Sequence, residues 1–222
     1  MSRAGPGAET HAFQLQCLEA DSNYFIRNSM VKLMIMAAVW KHQKLGKLKY
    51  DGGRDAWVGI INVPAFKAFT HSWDDHVHGR CDLVLQAEDD TDTPSSAAVE
   101  LALKTLANQE KLVKSITASL WKQFKGSGPK SGMWWYGGLD QVIESGEDEN
   151  VPALKNASSL LAWMHPNGII VRHSGIRSEV SPVVEITFSA VFEMEHGVGI
   201  LTDGVKVLGT GYTYDVEPFE EE

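Results

Sequence analysis

Hydrophobic and polar residues alternate along several short segments of the chain, and this pattern is typical of strands. Residues 13–18 and residues 80–87 alternate in this way. Residues 57–63 and residues 65–73 are also strand-like, and Pro64 stands between them. Because proline lacks a backbone N–H, Pro64 marks a sheet edge or the junction between two strands. The first half of the chain therefore predicts a set of short strands.

A longer periodicity, with apolar residues every three or four positions, lies between residues 94 and 125. It predicts one long helix with a single apolar stripe. Thr93 can cap its start, Pro94 suits its first turn, and Gly126 begins a glycine-rich stop. A break near Asn108 remains an open alternative.

Two further helices are predicted. Residues 24–40 form a methionine-rich segment without glycine or proline, which indicates an N-terminal helix. Residues 154–164 have the spacing of a shorter amphipathic helix, and Pro166 ends it.

The C-terminal third has the pattern of strands joined by turns. Strand patterns occupy residues 169–173, 183–193, 198–202 and 205–212. Asp203 and Gly204 are the pair preferred in a two-residue type I′ turn, where both positions take positive φ. Together these elements predict an α+β fold, in which a mostly antiparallel sheet packs against one long helix, with an additional N-terminal helix.

The same pattern predicts the domain organisation. Residues 1–56 form an N-terminal extension whose helix packs on the domain, residues 57–216 form the α+β domain, and residues 217–222 form an acidic tail. The chain of 222 residues is 43% hydrophobic, which is enough for a sizeable core.

Charge and cysteine content narrow the function classes. A net charge of -9 disfavours binding to nucleic-acid phosphates, which requires clustered Lys and Arg, and favours a basic protein partner. Cys17 and Cys81 are too few for a disulfide framework, which suits a reduced, cytoplasmic protein. The apolar stretch 30–40 is too short to cross a membrane and contains Lys32, so no membrane association is expected.

The densest polar cluster is a candidate metal site. Its four candidate ligands are His71, Asp74, His76 and His78. In an extended segment His76 and His78 share one face, and two imidazoles with a carboxylate suit Zn²⁺ or Fe²⁺. The preferred interpretation is a polar turn with imidazoles facing solvent, because the spacing matches no established metal motif. No cofactor is therefore expected.

Adjacent aromatic residues form a candidate partner-binding segment. Trp134, Trp135 and Tyr136 follow a glycine-rich stretch, and Trp and Tyr dominate the hot spots of protein interfaces. Core packing of at least one of the tryptophans is the competing interpretation.

A second acid-rich segment lies between two predicted strands. Two carboxylates beside an imidazole, in Glu193, Glu195 and His196, would suit acid–base chemistry if burial raised a carboxylate pKa. A structural hairpin is preferred, because Gly197 and Gly199 permit unusual backbone angles or a bulge. The predicted structural hairpin residues are Glu195, His196, Gly197, Gly199, Asp203 and Gly204.

Residues 192–201 resemble a poorly characterised bacterial domain family, in which the C-terminal hairpin reads Trp-Asp-x-Glu-His-Gly-x-Gly-Val. The shared residues are Glu195, His196, Gly197 and Gly199. Phe192 stands in place of the Trp and Glu193 in place of the Asp. The resemblance covers residues 57–214 and implies a toxin-immunity type of protein. It carries over no catalytic residue.

The expected function is non-enzymatic binding, in the form of a bacterial immunity protein that neutralises a toxin by protein–protein contact. An acidic surface would attract a basic toxin and speed association. Two alternatives stay open: a metal-dependent enzyme using His71, His76 and His78, and a structural protein that self-assembles through the aromatic segment. The sequence does not predict the oligomeric state.

Overall fold

The computed structural model describes residues 38–71, 78–87, 93–147, 149–172 and 182–220. Nine strands form one sheet in this part of the chain, and their order across the sheet is their order along the chain. The strands are β1 (Val39–His42), β2 (Gly46–Asp51), β3 (Ala56–Asn62), β4 (Arg80–Gln86), β5 (Met164–Arg172), β6 (Val183–Ala190), β7 (Glu193–Thr202), β8 (Val207–Tyr212) and β9 (Asp215–Pro218).

The sheet is mixed because β4 and β5 pair in parallel, whereas every other neighbouring pair is antiparallel. Parallel neighbours require a long crossover connection, and here the connection carries helices. The described residues between β4 and β5 form α1 (Ser96–Ala107), α2 (Gln109–Phe124), α3 (Leu139–Glu144) and a 3₁₀ helix (Ala157–Ala162). A further 3₁₀ helix (Pro64–Ala68) follows β3.

The main core lies between the helices and one face of the sheet. α1 contacts β4, β5 and β6, while α2 contacts β8 and both 3₁₀ helices. On the sheet, the fully buried residues of this face include Leu83, Leu85, Val171, Ile186 and Ile200. On α2, the spacing of three and four positions places Leu112, Ile116, Leu120 and Phe124 on one buried stripe.

The opposite face of the sheet holds a second, smaller cluster. Val183, Leu201 and Val216 are buried there, and Leu208 packs against them. The buried carboxylate of Glu185 forms an ion pair with Arg172 on the neighbouring strand β5.

The predicted fold class was wrong in two respects: the sheet is mixed, and two helices replace the expected single helix over residues 94–125. The break near Asn108, which had stayed open as an alternative, is confirmed. The backbone leaves the helical region at Asn108, whose φ is -111°. Its side chain donates to the Lys104 carbonyl at 2.8 Å, and the Gln109 side chain donates to the Leu106 carbonyl at 3.0 Å. These side chains satisfy the last carbonyls of α1, so the helix ends there.

The predicted N-terminal helix over 24–40 lies largely outside the described residues, as do residues 13–18. Its last two residues are in β1, where Trp40 pairs with Leu48. A tight turn over residues 43–45 joins β1 to β2. Gly46, whose φ is +79°, ends this turn and so allows the two strands to pair.

Three local predictions were also wrong. Residues 65–73 begin as a 3₁₀ helix because Pro64 starts one and the Ala65 N–H donates to the Gln109 side chain at 2.9 Å. The helix over 154–164 is shortened to the 3₁₀ turn, since β5 begins at Met164. The turn after β7 runs over residues 203–206, and among its residues Gly204 alone has positive φ, so it is not a two-residue type I′ turn.

No helix in the described ranges has both the length and the hydrophobicity to cross a membrane.

Candidate binding surface

The aromatic segment and the acid-rich segment, which are far apart in the sequence, meet in the fold. The indole Nε1–H of Trp134 donates to Glu193 Oε2 at 2.9 Å, although the two residues are 59 positions apart. His196 and Tyr212 lie beside this pair, with ring centroids 4.8 Å apart. We call this surface the acidic–aromatic corner and define it as Trp134, Glu193, Met194, Glu195, His196 and Tyr212.

A short connection between β6 and β7 forms the sheet side of the corner. Val191 and Phe192 are its only residues, and both are buried. The Phe192 ring meets Phe124 and Trp135 edge to face, at centroid distances of 5.1 Å and 5.7 Å. This anchoring places Glu193 at the start of β7, beside the loop that carries Trp134.

The loop side of the corner is held by Gln123, a fully buried residue near the end of α2. Its backbone carbonyl accepts from the N–H of Gly137 at 2.7 Å, and its side chain donates to the Pro129 carbonyl at 3.2 Å. The Tyr136 hydroxyl donates to the Gly128 carbonyl at 2.9 Å. Hydrogen bonds therefore hold the loop both before and after Trp134.

The three aromatic residues of the predicted partner-binding segment have different environments. Trp135 is fully buried and contacts Phe124, Phe192 and Tyr212. Tyr136 is half-buried and stabilises the loop through the hydrogen bond that its hydroxyl group donates to Gly128. Trp134 is 42% exposed. Of these three residues, Trp134 is the one that offers a large aromatic surface to a partner.

Glu193 organises the corner electrostatically. It is only 8% exposed, and its two oxygens have different partners. Oε2 accepts from Trp134, while Oε1 accepts from the backbone N–H of His196 at 3.2 Å and lies 3.2 Å from the His196 Nδ1. Because donors occupy both oxygens, Glu193 is suited to positioning its neighbours more than to transferring protons.

The rest of the corner is exposed and negatively charged. Met194 is 63% exposed, and the Glu195 side chain is 85% exposed. Glu195 Oε1 lies 4.0 Å from His196 Nε2. Burial raises the pKa of the Tyr212 hydroxyl, and the carboxylates of Glu193 and Glu195 raise it further. The corner thus combines an exposed apolar surface with a negative potential.

The glycines of the predicted structural hairpin are required by close contacts. Gly197 has φ +68°, and a Cβ there would lie 2.7 Å from the Phe188 carbonyl oxygen. A Cβ at Gly204 would lie 3.0 Å from Thr105 Oγ1 on α1. The neighbouring Asp203 accepts from the N–H groups of Val205 and Lys206, both at 2.8 Å.

The histidine cluster proposed as a metal site is only partly described. Asp74 and His76 lie outside the described residues, whereas His71 and His78 lie within them. Both are near His165, which sequence analysis missed: His165 Nδ1 is 3.1 Å from the His71 carbonyl oxygen, and the rings of His78 and His165 are 5.9 Å apart. Burial lowers the pKa of His71. Within the described ranges, no group of three or more His, Cys, Asp or Glu side chains is arranged to hold a metal ion.

A cavity of about 340 Å³ lies beside His165, where β4 and β5 begin their parallel pairing. It opens at a register shift in β5 between Pro166 and Gly168. Its lining residues are Ile60, Arg80, Cys81, Asp82, His165, Pro166 and Asn167. Burial raises the pKa of Cys81 to about 12, and the Asp82 carboxylate adds to this effect. At neutral pH Cys81 is therefore a thiol and a poor nucleophile.

The family model described as Domain of unknown function (DUF6985) matches residues 44–217. The chain belongs to this family. The match spans the sheet from β2 to Glu217 in β9 and includes every residue of the acidic–aromatic corner. No curated protein and no solved structure matches the chain.

Proposed function

We propose that this protein is a non-enzymatic binding protein that holds a basic protein partner on the acidic–aromatic corner. The observation that carries the proposal is the hydrogen bond from Trp134 to Glu193, which fixes the orientation of an exposed indole. Trp is one of the residues enriched at the energetic centres of protein interfaces. An indole held in position before binding loses less conformational entropy when a partner arrives.

The surroundings of Trp134 support a protein partner of positive charge. Met194, which follows Glu193 in β7, adds exposed apolar surface to the corner, and Met is enriched at interfaces where it adapts to different shapes. Glu195 adds an exposed carboxylate to the corner. The net charge of -9 extends the same sign to the whole chain, so that a basic partner would be steered toward it at low ionic strength.

An immunity-type role, in which the partner is a basic toxin, is the biological form of this proposal. Its support is the resemblance of the Glu195-His196-Gly197-x-Gly199 hairpin to the bacterial family described above, together with the acidic charge. Neutralisation would then follow from covering the toxin's functional surface, and would need no catalytic residue in this protein.

The test is affinity capture from the native host with three baits: the wild type, Trp134→Ala, and the control Ile60→Ala. Ile60 is a suitable control because it is an exposed apolar residue on β3. We expect a basic protein that the wild type and Ile60→Ala retain and that Trp134→Ala loses. Its retention should weaken as salt rises.

Two outcomes would overturn the proposal. One is a partner that Trp134→Ala captures as well as the wild type. The other is sedimentation showing that the wild type self-associates through Trp134, since the corner would then be occupied by a second copy.

A further inference from the structure

The exposed surface of Trp134 consists mainly of ring carbon, because its polar N–H group is already bonded to Glu193. Trp135 meets it at a centroid distance of 5.8 Å and an interplanar angle of 73°. The indole is therefore held by one hydrogen bond and one edge-to-face contact. With the N–H group engaged, the exposed part of the indole can interact with a ligand through its π electrons, which attract cations.

The carboxylates of the acidic–aromatic corner favour the same kind of ligand. The Glu195 side chain is almost fully exposed, and His196 Nε2, 4.0 Å away, leaves it accessible for a second partner. Glu193 contributes negative charge at the edge of the ring, where it accepts from the indole N–H, although its oxygens are already engaged. The raised pKa of Tyr212 reflects these two carboxylates as well as burial. A phosphate or carboxylate ligand would be repelled here.

We propose that the group bound at the corner is an arginine side chain of the partner, stacked on Trp134 and paired with Glu195. This inference rests on the proposed function and names the chemistry that it recognises. A guanidinium is planar and weakly hydrated, so it stacks on an aromatic ring and still bonds a carboxylate through its edge. A lysine ammonium is more strongly hydrated and does not stack, so we expect it to bind less well.

The experiment uses the full chain, labelled with ¹⁵N, and follows the tryptophan indole N–H resonances. The chain has 7 tryptophans, and Trp134→Phe assigns the resonance of interest by its loss. Nα-acetyl-arginine amide is titrated at fixed ionic strength, with the lysine and citrulline counterparts as probes. Citrulline matches arginine in shape but carries no charge.

We expect the arginine compound to shift the Trp134 resonance selectively, with the lysine compound weaker and citrulline weaker still. Glu195→Gln should reduce the apparent affinity about two- to five-fold, the range expected for an exposed ion pair. Glu100→Gln, which removes an exposed carboxylate from α1, is the matched control and should leave the affinity unchanged.

Three results would overturn the inference: an equal response to citrulline and arginine, an equal or stronger response to lysine, or an unchanged affinity in Glu195→Gln. These failures are distinct from failure of the proposed function. If a partner is captured through Trp134 but the corner shows no preference for arginine, the binding function stands and only the assignment of an arginine side chain is rejected. Arginine binding without a protein partner would do the reverse.

Discussion

Thr210 Oγ1 on β8 donates a hydrogen bond of 2.6 Å to Gln123 Oε1 on α2, and both side chains are buried. The other end of the same Gln123 amide holds the loop that precedes Trp134. One side chain thus joins the helix, the sheet and the loop of the acidic–aromatic corner. The binding surface is therefore coupled to the core through Gln123.

Gln123→Met should lower the free energy of unfolding by about 2 kcal/mol, because the buried hydroxyl of Thr210 and the Pro129 carbonyl lose their partner. Thr210→Val should cost about 1–2 kcal/mol, since it leaves the Gln123 oxygen unsatisfied. Urea unfolding of both variants and of the double variant measures these costs. The double variant should cost less than the sum; strictly additive costs would show that the two groups do not interact.

Gly199→Ala should be destabilising because its Cβ would lie 2.9 Å from Glu185 Oε1 and 2.9 Å from the Tyr212 carbonyl oxygen. Neither neighbour can move freely: Glu185 is buried and Tyr212 belongs to the sheet. We expect a cost of about 2–3 kcal/mol in urea unfolding, typical of an overpacked site. Gly53→Ala is the control, since the one atom near its Cβ is a side-chain oxygen of Asp51 at 3.3 Å on an exposed turn. Equal costs at the two positions would contradict this explanation.

Arg172→Met should lower the free energy of unfolding, because the buried carboxylate of Glu185 loses its ion-pair partner. Burial raises the pKa of Glu185, while the Tyr214 N–H and the Arg172 guanidinium oppose that rise. Without Arg172 the pKa of Glu185 should rise further above its usual 4.5, so that the folded state binds a proton more tightly than the unfolded state. The loss of unfolding free energy should therefore be small below pH 4.5 and grow as pH rises. We expect it to reach about 2–3 kcal/mol at neutral pH, which is less than for a fully buried ion pair, since Arg172 is partly exposed.

Unfolding of wild type and Arg172→Met at pH 4 and at pH 7.5 provides the measurement. A deficit of the same size at both pH values would mean that Arg172 acts through packing and not through the charge of Glu185.

Asp203→Asn tests the turn between β7 and β8. Burial acts to raise the pKa of Asp203, but the N–H groups of Lys206 and Val205 and the Lys104 ammonium outweigh it, so the pKa lies below 3.8. A lowered pKa stabilises the fold above the unfolded-state pKa, and this contribution is lost as pH falls through the folded-state pKa. Asn can still accept the two backbone hydrogen bonds but lacks the charge. Asp203→Asn should therefore lower the free energy of unfolding by a few tenths of a kcal/mol at pH 7.

Thermal unfolding from pH 7 down to pH 2.5 measures this difference, which should disappear at the acidic end. Asp203→Ala removes the two backbone hydrogen bonds as well, so this variant should be less stable than the wild type at every pH. A deficit for Asn that does not change with pH would rule out the charge of Asp203 as its source.

Local patterns in the sequence were sufficient for elements whose buried face repeats with the period of the element itself. The alternation of residues 80–87 predicted β4, and the stripe from Leu112 to Phe124 predicted α2. Both succeed because the buried face of such an element is written into the spacing of its own apolar residues. Residues 154–164 show the limit of this signal, since Met164 and Pro166 belong to β5 once the neighbouring strands are available.

The acidic–aromatic corner depends on contacts that the spacing of apolar residues does not predict. Its two segments were both recognised as candidates, yet nothing in the spacing of Trp134 and Glu193, 59 positions apart, indicates that they share a hydrogen bond. Likewise, His165 had no motif that linked it to His71 or His78. Such neighbours are set by the order of strands in the sheet and by the path of the crossover between them.

The acidic charge, the strand and helix periods and the residue types available for binding can all be read from the amino-acid sequence. The burial of Trp135 and the exposure of Trp134 follow from the fold, because their surroundings come from Phe124, Phe192 and Glu193 on other elements. Periodicity records which face of an element is buried, whereas contacts between distant elements depend on how the whole sheet and its helices pack together.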